Sequence, residues 1–228
     1  MIYTKIKKAI VFSCVVIYIL FLYCDSSSYY KINCLSTYIK YIGIILCFLL
    51  SLLIGDNGHD YTDTRLLVAA LFFTSTADYF FLFVKNFKIG VVFFCIVQSI
   101  YIIRHSRKTV LTSSYYFVVS VILTIMIFSP SFIHIYKFDQ VLKSILFLYG
   151  GLLLISTFTA IRTTWFDKYP RSGSYKVATG SVLFMLCDIN VALFNTSSSF
   201  SNISGFLIWL FYFPSQVFLA LSGYKRFQ

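Results

Sequence analysis

The sequence predicts an all-α, polytopic integral membrane protein with a single eight-span transmembrane domain covering residues 1–228. Hydrophobic residues make up 59% of the chain and charged residues only 12%, whereas about a quarter of a soluble domain is charged. The mean hydropathy is strongly positive, at +0.82. The apolar residues form continuous runs, longer than the alternating segments of about ten residues that are typical of membrane β-barrels. Such runs, separated by short polar segments, are typical of transmembrane helices.

Eight apolar runs are candidates for transmembrane helices. The first follows a group of lysines and resembles a signal peptide, but no small-x-small cleavage site follows it, so we interpret it as a span. No connection is long enough to separate soluble domains, which indicates one domain. The predicted spans are residues 9–24, 36–54, 66–84, 87–103, 115–129, 141–161, 177–194 and 203–222.

The distribution of basic residues predicts the topology. Eight spans place both termini on one side, here called side A, together with the loops near 55–65, 104–114 and 162–176; the opposite side is side B. Most of the 19 basic residues, including every arginine, lie on side A. The positive-inside rule therefore predicts that side A and both termini are cytoplasmic, and our default location is the plasma (cytoplasmic) membrane. We interpret the net charge of +11 in the same way, together with contacts to anionic lipids, and predict no nucleic-acid partner.

The sequence contains no recognisable metal, nucleotide or α/β-hydrolase motif. It has no HExxH, Walker, GxGxxG or GxSxG pattern and no CxxC pair, and these patterns carry the corresponding chemistry in many enzymes. Most of the six cysteines fall inside apolar runs, where a cysteine behaves as a small hydrophobic residue. We therefore predict neither a metal site nor a cofactor.

Two aspartates fall inside apolar runs. Asp78 lies in TSTADYFFLF within the third span, and Asp188 lies in the seventh. A charged carboxylate in the middle of a bilayer costs roughly 2.5–3.5 kcal/mol even on insertion scales, so such a residue usually has a function. Both aspartates follow a basic residue, Arg65 or Lys176, by a similar distance, which predicts a similar depth. The other aspartates are predicted to be solvated in loops: Asp25, Asp56, Asp60, Asp63, Asp139 and Asp167.

Further polar residues in the spans can share a face with the two aspartates. Polar residues in transmembrane helices normally point into the bundle, so we predict polar stripes that face one shared cavity. Hydrogen bonds between packed helices are the alternative interpretation for these residues. They are Thr74 and Ser75 one turn before Asp78, Ser181 and Asn195 two turns from Asp188, and the amides Gln98 and Gln216 in the returning spans.

The segments around the two aspartates are similar to each other. LFFTSTADYFFLF and LFMLCDINVALF each contain an LF pair, then the aspartate, then an apolar tail ending in LF. Four spans separate the aspartates, so the similarity predicts a parallel repeat of four plus four helices. Apolar sequence of low complexity can produce the same similarity by chance, and both explanations stay open.

Four segments, taken in order, resemble the YhhN/TMEM86 family of eight-span membrane proteins, the lysoplasmalogenases. They are ALFFTSTADYFFLF (70–83), FKIGVVFFCIVQSIYIIRH (87–105), GSVLFMLCDINVALF (180–194) and FYFPSQVFLALSG (211–223). The positions that match the family pattern are Thr74, Asp78, Phe87, Gly90, Phe94, Tyr101, Gly180, Phe184, Asp188 and Gln216. Three positions depart from it, with Ala77 in place of glycine, Cys187 in place of serine and Gln98 in place of a frequent histidine.

The resemblance implies a hydrolase that acts on lysoplasmalogens, with membrane lipid as its surroundings. Water would cleave the vinyl ether of this lysophospholipid substrate to a fatty aldehyde and a glycerophospho-alcohol. Carbon protonation gives an oxocarbenium ion, so the reaction needs one protonated acid and gains from a carboxylate beside the cation. Asp78 and Asp188 are expected to share these roles, as paired carboxylates do in glycosidases. The expected binding or supporting residues are Thr74, Ser75, Gln98, Tyr101, Ser181 and Gln216.

Two other functions remain open from the sequence. In a small proton- or cation-coupled transporter, Asp78 and Asp188 would carry a proton or bind the cation. In a non-catalytic membrane scaffold, the same residues would only pack helices. Gln98 bears on the choice, because glutamine can hydrogen-bond water or substrate but cannot titrate as histidine does.

Overall fold

The computed structural model describes residues 2–25, 30–107, 119, 139–165, 169–196 and 201–225. Within these ranges the chain is helical and contains no strand. Seven helices are long and apolar enough to cross a membrane. They are α1 (Ile2–Asp25), α2 (Tyr30–Leu52), α3 (Tyr61–Tyr79), α4 (Phe87–Ser106), α5 (Gln140–Arg162), α6 (Arg171–Thr196) and α7 (Ser201–Leu221).

Seven of the eight predicted spans coincide with these helices, which supports a multi-pass integral membrane protein. The remaining one, 115–129, lies outside the described residues except for residue 119. A total of eight spans, cytoplasmic termini, the plasma membrane and the internal repeat therefore stay predictions. Most of the helices are longer than their apolar runs, because helical hydrogen bonding continues into capping residues. The side chain of Asp60, for example, accepts a hydrogen bond from the Asp63 backbone N–H at 2.7 Å and caps α3.

A tight turn connects α3 to α4 on side B. After α3 the chain forms one π-helical turn, Phe80–Val84, and then Lys85 adopts a left-handed conformation with φ of 56°. Asn86 follows and caps α4 by accepting a hydrogen bond from the Ile89 backbone N–H at 3.2 Å. This short connection places the C-terminal end of α3, which carries Asp78, directly beside the start of α4.

The helices pack in chain order, and α7 closes the bundle. Each helix from α1 to α6 contacts the next described helix, and α7 contacts α6, α2, α1 and α3. Two glycines allow these close contacts with α7. A Cβ at Gly180 would lie 2.8 Å from Leu219 of α7, and a Cβ at Gly43 would collide with the ring of Phe213.

Proline at position 214 interrupts the hydrogen bonding of α7. Proline has no N–H, so the carbonyl of Leu210, four residues earlier, loses its usual helical partner. In a bilayer an unsatisfied carbonyl costs several kcal/mol. The hydroxyl group of Tyr18 in α1 donates a hydrogen bond to this carbonyl at 2.9 Å. A side chain of the first helix thus replaces the missing donor.

A buried ion pair lies where the predicted side A segments meet. Arg104 is 0% exposed, and its Nη2 and Nε donate to the two carboxylate oxygens of Asp63 at 2.9 and 3.2 Å. Its Nη1 donates to Ser222 Oγ at 3.0 Å, and the Tyr169 hydroxyl donates to Asp63 Oδ1 at 2.6 Å. The prediction of a solvated Asp63 was therefore wrong, because α3 extends further than its apolar run and buries this side chain.

Other contacts at the same end join the first and last helices. The Lys7 ammonium lies 4.9 Å from the centre of the Tyr224 ring, and the Lys225 backbone N–H donates to the Asn57 carbonyl at 2.9 Å. His59 donates from Nε2 to the Ser222 carbonyl at 3.1 Å. Burial lowers the pKa of His59, so the ring is neutral at pH 7 and adds no positive charge next to Arg104. The N-terminal part of α1 and the C-terminal end of α7 therefore lie at the same end of the bundle.

Replacing Arg104 should destabilise the protein strongly, because Asp63 would remain buried without its cation. For Arg104→Met we expect a loss of about 3–5 kcal/mol in the free energy of unfolding. The exposed Arg65 is the matched control, and for Arg65→Met we expect a loss below about 1 kcal/mol. Thermal unfolding of the purified protein in detergent measures both. Equal losses in the two variants would contradict the structural role of the pair.

Candidate active site

A cavity of about 720 Å³ lies inside the bundle between α3, α4, α5, α6 and α7. All of its described lining residues belong to the middle of these helices or to their side B ends. Most of the lining is apolar, with phenylalanine and leucine side chains predominating. Such a space, with a few polar groups among apolar walls, is typical of small-molecule sites. The polar lining side chains are Asp78, Lys143, Tyr149, Asp188, Asn195 and Tyr212.

Asp78 lies in the last turn of α3 and lines the cavity. Its side chain is almost fully buried, with 4% exposure. Its Oδ2 accepts a hydrogen bond from the hydroxyl group of Tyr212 in α7 at 2.6 Å. The contact between α3 and α7 therefore brings a phenol to the carboxyl group that was singled out from the sequence.

Asp188 lies on α6 and has an equivalent bond from a different helix. Its Oδ2 accepts a hydrogen bond from the hydroxyl group of Tyr149 in α5 at 2.5 Å. Asp188 is less buried than Asp78. Both carboxyl groups line the same cavity. The structure thus brings the two aspartates together at one cavity, each with a tyrosine hydroxyl on one oxygen.

Aromatic contacts fix the two tyrosine rings. The ring of Phe94 in α4 lies between them, 6.1 Å from the Tyr149 centroid and 6.3 Å from the Tyr212 centroid. Phe184 of α6 contacts both Phe94 and Tyr212 edge-on at 5.6 Å. Trp209 contacts Tyr212 edge-on at 5.4 Å. Because aromatic rings pack with defined geometry, this group holds the hydroxyls against their carboxyl partners.

The residues predicted as supporting do not line the cavity, although all six are buried. Ser75 donates to a carbonyl of its own helix, that of Phe72, at 2.8 Å. Gln216 donates to Ser215 Oγ at 3.3 Å. Ser181 is buried two turns from Asp188, on the side A part of α6. Asn195 does line the cavity, and it also bonds its own helix at the Val191 carbonyl.

Several buried polar groups on the side A side of the carboxyl pair have no hydrogen-bond partner among the described residues. They include the Thr74 hydroxyl, the Gln98 amide nitrogen, the Gln216 amide oxygen and the Tyr101 hydroxyl. The Gln98 side chain approaches the Tyr149 hydroxyl, but its Nε2 makes no hydrogen bond to a described residue. Buried polar groups are nearly always satisfied by protein or by ordered water. These atoms therefore offer hydrogen bonds to water behind the carboxyl groups.

Sequence reasoning missed the two tyrosines, which are the residues that contact the carboxyl groups. Tyrosine is normally enriched at the membrane interfaces, so a tyrosine in the middle of a span is a usable signal. Tyr149 in LFLYGG and Tyr212 in FYFPSQ both meet that condition. The signal is weak here because the chain contains 18 tyrosines.

The fold and the cavity define a class of protein: a helical, multi-pass membrane protein whose interior presents two carboxyl groups to a largely apolar chamber. The sequence of residues 35–223 matches the YhhN family, and the chain belongs to that family. The resemblance seen in the four sequence segments is therefore confirmed. No curated protein and no solved structure matches the chain.

Removing the hydroxyl that binds Asp78 should destabilise the fold measurably. For Tyr212→Phe we expect a loss of about 1–3 kcal/mol in the free energy of unfolding, because a buried polar group loses its partner while the ring packing is kept. Tyr79→Phe makes the same change on an exposed ring and should cost less than about 0.5 kcal/mol. Thermal unfolding in detergent compares the two variants. A loss that is no greater for Tyr212→Phe would argue against the bond.

Proposed function

We propose that this protein is a lysoplasmalogenase-like hydrolase, which cleaves the vinyl ether of a lysoplasmalogen to a fatty aldehyde and a glycerophospho-alcohol. One observation carries the proposal: a member of the YhhN family has two buried carboxyl groups that line one largely apolar cavity. The apolar walls suit a fatty chain. The carboxyl pair suits the acid chemistry of an enol ether.

The reaction is an acid-catalysed addition of water. A protonated carboxyl group gives its proton to the chain-side carbon of the double bond, and the remaining carbon–oxygen unit becomes an oxocarbenium ion. Water adds to this cation and loses a proton to a carboxylate. The hemiacetal hydroxyl then loses its proton as the bond to the glycerol oxygen breaks, and that oxygen takes up a proton, giving the aldehyde and the alcohol. The proton balance closes, because water returns the proton that the acid donated.

The hydrogen bonds at the two aspartates fit a division of labour between them. Each tyrosine occupies Oδ2, and no described residue donates to the other oxygen of either carboxyl group. One free oxygen can therefore face the double bond and the other the developing cation, as in glycosidases with paired carboxylates. The proposal assigns the two roles to Asp78 and Asp188 jointly.

Water for the second step can be held by the unpartnered groups behind the carboxyl pair. Gln98 has a free amide nitrogen next to the Tyr149 hydroxyl, which in turn bonds Asp188. Glutamine stands here where the family often has histidine, and it cannot titrate. In this chain the proton transfers consequently fall to the carboxyl groups, and Gln98 positions water.

The position of the cavity favours a hydrolase over a transporter. Among the described residues, the lining occupies the middle and the side B parts of the helices and does not reach their side A ends. On the side A part of the bundle lie the ring of Phe184, the contact of Gly180 with Leu219, and the buried Arg104–Asp63 pair. A transporter has to open its binding site to both sides in turn.

Asp78→Asn and Asp188→Asn should each reduce aldehyde release from lysoplasmenyl-ethanolamine at least about a hundredfold, because each removes an acid or a carboxylate from the reacting atoms. Asp139→Asn is the matched control, since Asp139 is an exposed residue that pairs with Lys88 at 2.8 Å and does not line the cavity. Membranes that contain each variant are assayed for fatty aldehyde, with the amount of folded protein measured by size-exclusion chromatography.

Three outcomes separate the candidate functions. Aldehyde release by the wild type and by Asp139→Asn, but not by the two site variants, supports the hydrolase. Proton- or cation-driven uptake into vesicles without aldehyde release would support the transporter. Tolerance of Asp78→Leu and Asp188→Leu in a folded protein, with neither activity present, would support a scaffold.

A further inference from the structure

One basic side chain, Lys143, lines the cavity. It is the only cationic residue among the described lining residues, and it lies in the first turn of α5 on side B. Its ammonium group has no ion pair or hydrogen bond in the described part of the chain. Lys88 at the same end is paired with Asp139 at 2.8 Å, and Lys40 is paired with Asp25 at 2.7 Å. An unpaired cation in a largely apolar cavity can bind an anion.

The position of Lys143 on α5 relates it to the acid pair. It begins the stripe of α5 residues that line the cavity, which continues through Leu146, Gly150 and Leu154. Tyr149, which holds Asp188, follows Lys143 by six residues, a rise of about 9 Å along the helix. A lysine side chain is a flexible four-carbon stem that carries a strongly hydrated charge. It can therefore extend either to the mouth of the cavity or towards the carboxyl groups.

In a lysoplasmalogen, the charged phosphate lies a short distance from the reactive vinyl ether, as Lys143 lies a short distance from the acid pair. The phosphate and the vinyl ether are separated by a three-carbon glycerol unit, a spacing that the stem of Lys143 can accommodate. Lysine binds phosphate as a point charge, and hydrogen bonds between ionised partners are among the strongest in proteins. With the vinyl ether at the aspartates, the phosphate would then lie towards side B.

The apolar part of the cavity provides space for the chain beyond the acids. The fatty chain begins at the vinyl ether, so it has to continue on the other side of the aspartates from the head group. Leu153, Leu154 and Met185 line this part of the cavity. Leu154 on α5 and Ile189 on α6 line the cavity and are also 46% exposed. The chamber therefore reaches the surface of the bundle between these helices.

We infer that Lys143 binds the phosphate of the lysophospholipid and sets its orientation, with the head group towards side B and the chain directed inward past Asp78 and Asp188. This inference rests on the proposed function for the identity of the reacting bond. The ligand is a lipid phosphodiester rather than free phosphate, because the cation opens onto an apolar chamber.

The kinetic test compares two substrates, lysoplasmenyl-ethanolamine and the corresponding 1-O-alkenylglycerol, which lacks the phosphoethanolamine head group. In the wild type, the phosphate should lower KM. The KM of the alkenylglycerol divided by the KM of lysoplasmenyl-ethanolamine measures this benefit. In Lys143→Gln this ratio should fall about tenfold, the effect of one charge-assisted contact. Lys143→Arg should restore the ratio. Lys88→Gln removes a charge at the same end without touching the cavity, and should leave the ratio at its wild-type value.

A binding test keeps this inference separate from the proposed function. The ligand is the saturated 1-O-alkyl lysophosphoethanolamine, which has no vinyl ether to cleave, and the signal is the fluorescence of Trp209 in the cavity wall, recorded in a Trp165→Phe background. Lys143→Gln should raise Kd about tenfold. Inorganic phosphate at the same concentration should not displace the lipid.

The results of the two tests separate the phosphate site from the proposed reaction. Lysine-dependent binding without aldehyde release by the wild type would leave the phosphate site intact and overturn the reaction. Aldehyde release with unchanged KM and Kd ratios in Lys143→Gln would overturn the phosphate site and leave the reaction. Displacement by inorganic phosphate alone would show a general anion site and also overturn the inference.

Discussion

The buried pair of Arg104 and Asp63 ties four parts of the chain together at the side A end of the bundle. It joins α3 to α4 directly, and through Tyr169 and Ser222 it also fixes the segment before α6 and the end of α7. A buried ion pair of this kind is costly unless its remaining hydrogen bonds are satisfied, and here the hydroxyl groups of those two residues contribute to that. The same helices are thereby held together on side A, while their middle and side B parts enclose the cavity.

The carboxyl groups of the cavity differ from Asp63, because no cation pairs with either of them in the part of the chain that the structure describes. Asp78 and Asp188 are each held by one tyrosine hydroxyl, and the rings of Phe94 and Phe184 hold the tyrosine side chains. A neutral donor orients a carboxyl group without neutralising its charge. The charge of Asp63 is thus neutralised by Arg104, whereas Asp78 and Asp188 keep carboxyl groups that can exchange a proton.

Sequence reasoning predicted the helical class, seven of the described spans and the two aspartates of the cavity, since each depends on hydrophobicity or on a charge in an apolar run. It assigned Asp63 to a solvated loop because the neighbouring sequence shows the charge of Asp63 but not its partner. That partner, Arg104, lies 41 positions away. It missed Tyr149 and Tyr212 for the same reason: a tyrosine in an apolar run looks like a core residue until another helix brings a carboxyl group to its hydroxyl. The predicted supporting residues share helical faces with the residues of the cavity, but they lie one or two turns further towards side A and are absent from the lining.

The hydrogen bond from Tyr18 to the Leu210 carbonyl gives the first helix an influence over the cavity that its position does not suggest. The family match begins at residue 35, after α1 has ended, and no described residue of α1 lines the chamber. Yet α1 supplies the donor that Pro214 removes from α7, two positions beyond Tyr212. The Tyr18 phenol therefore couples a helix outside the matched segment to the geometry around Asp78.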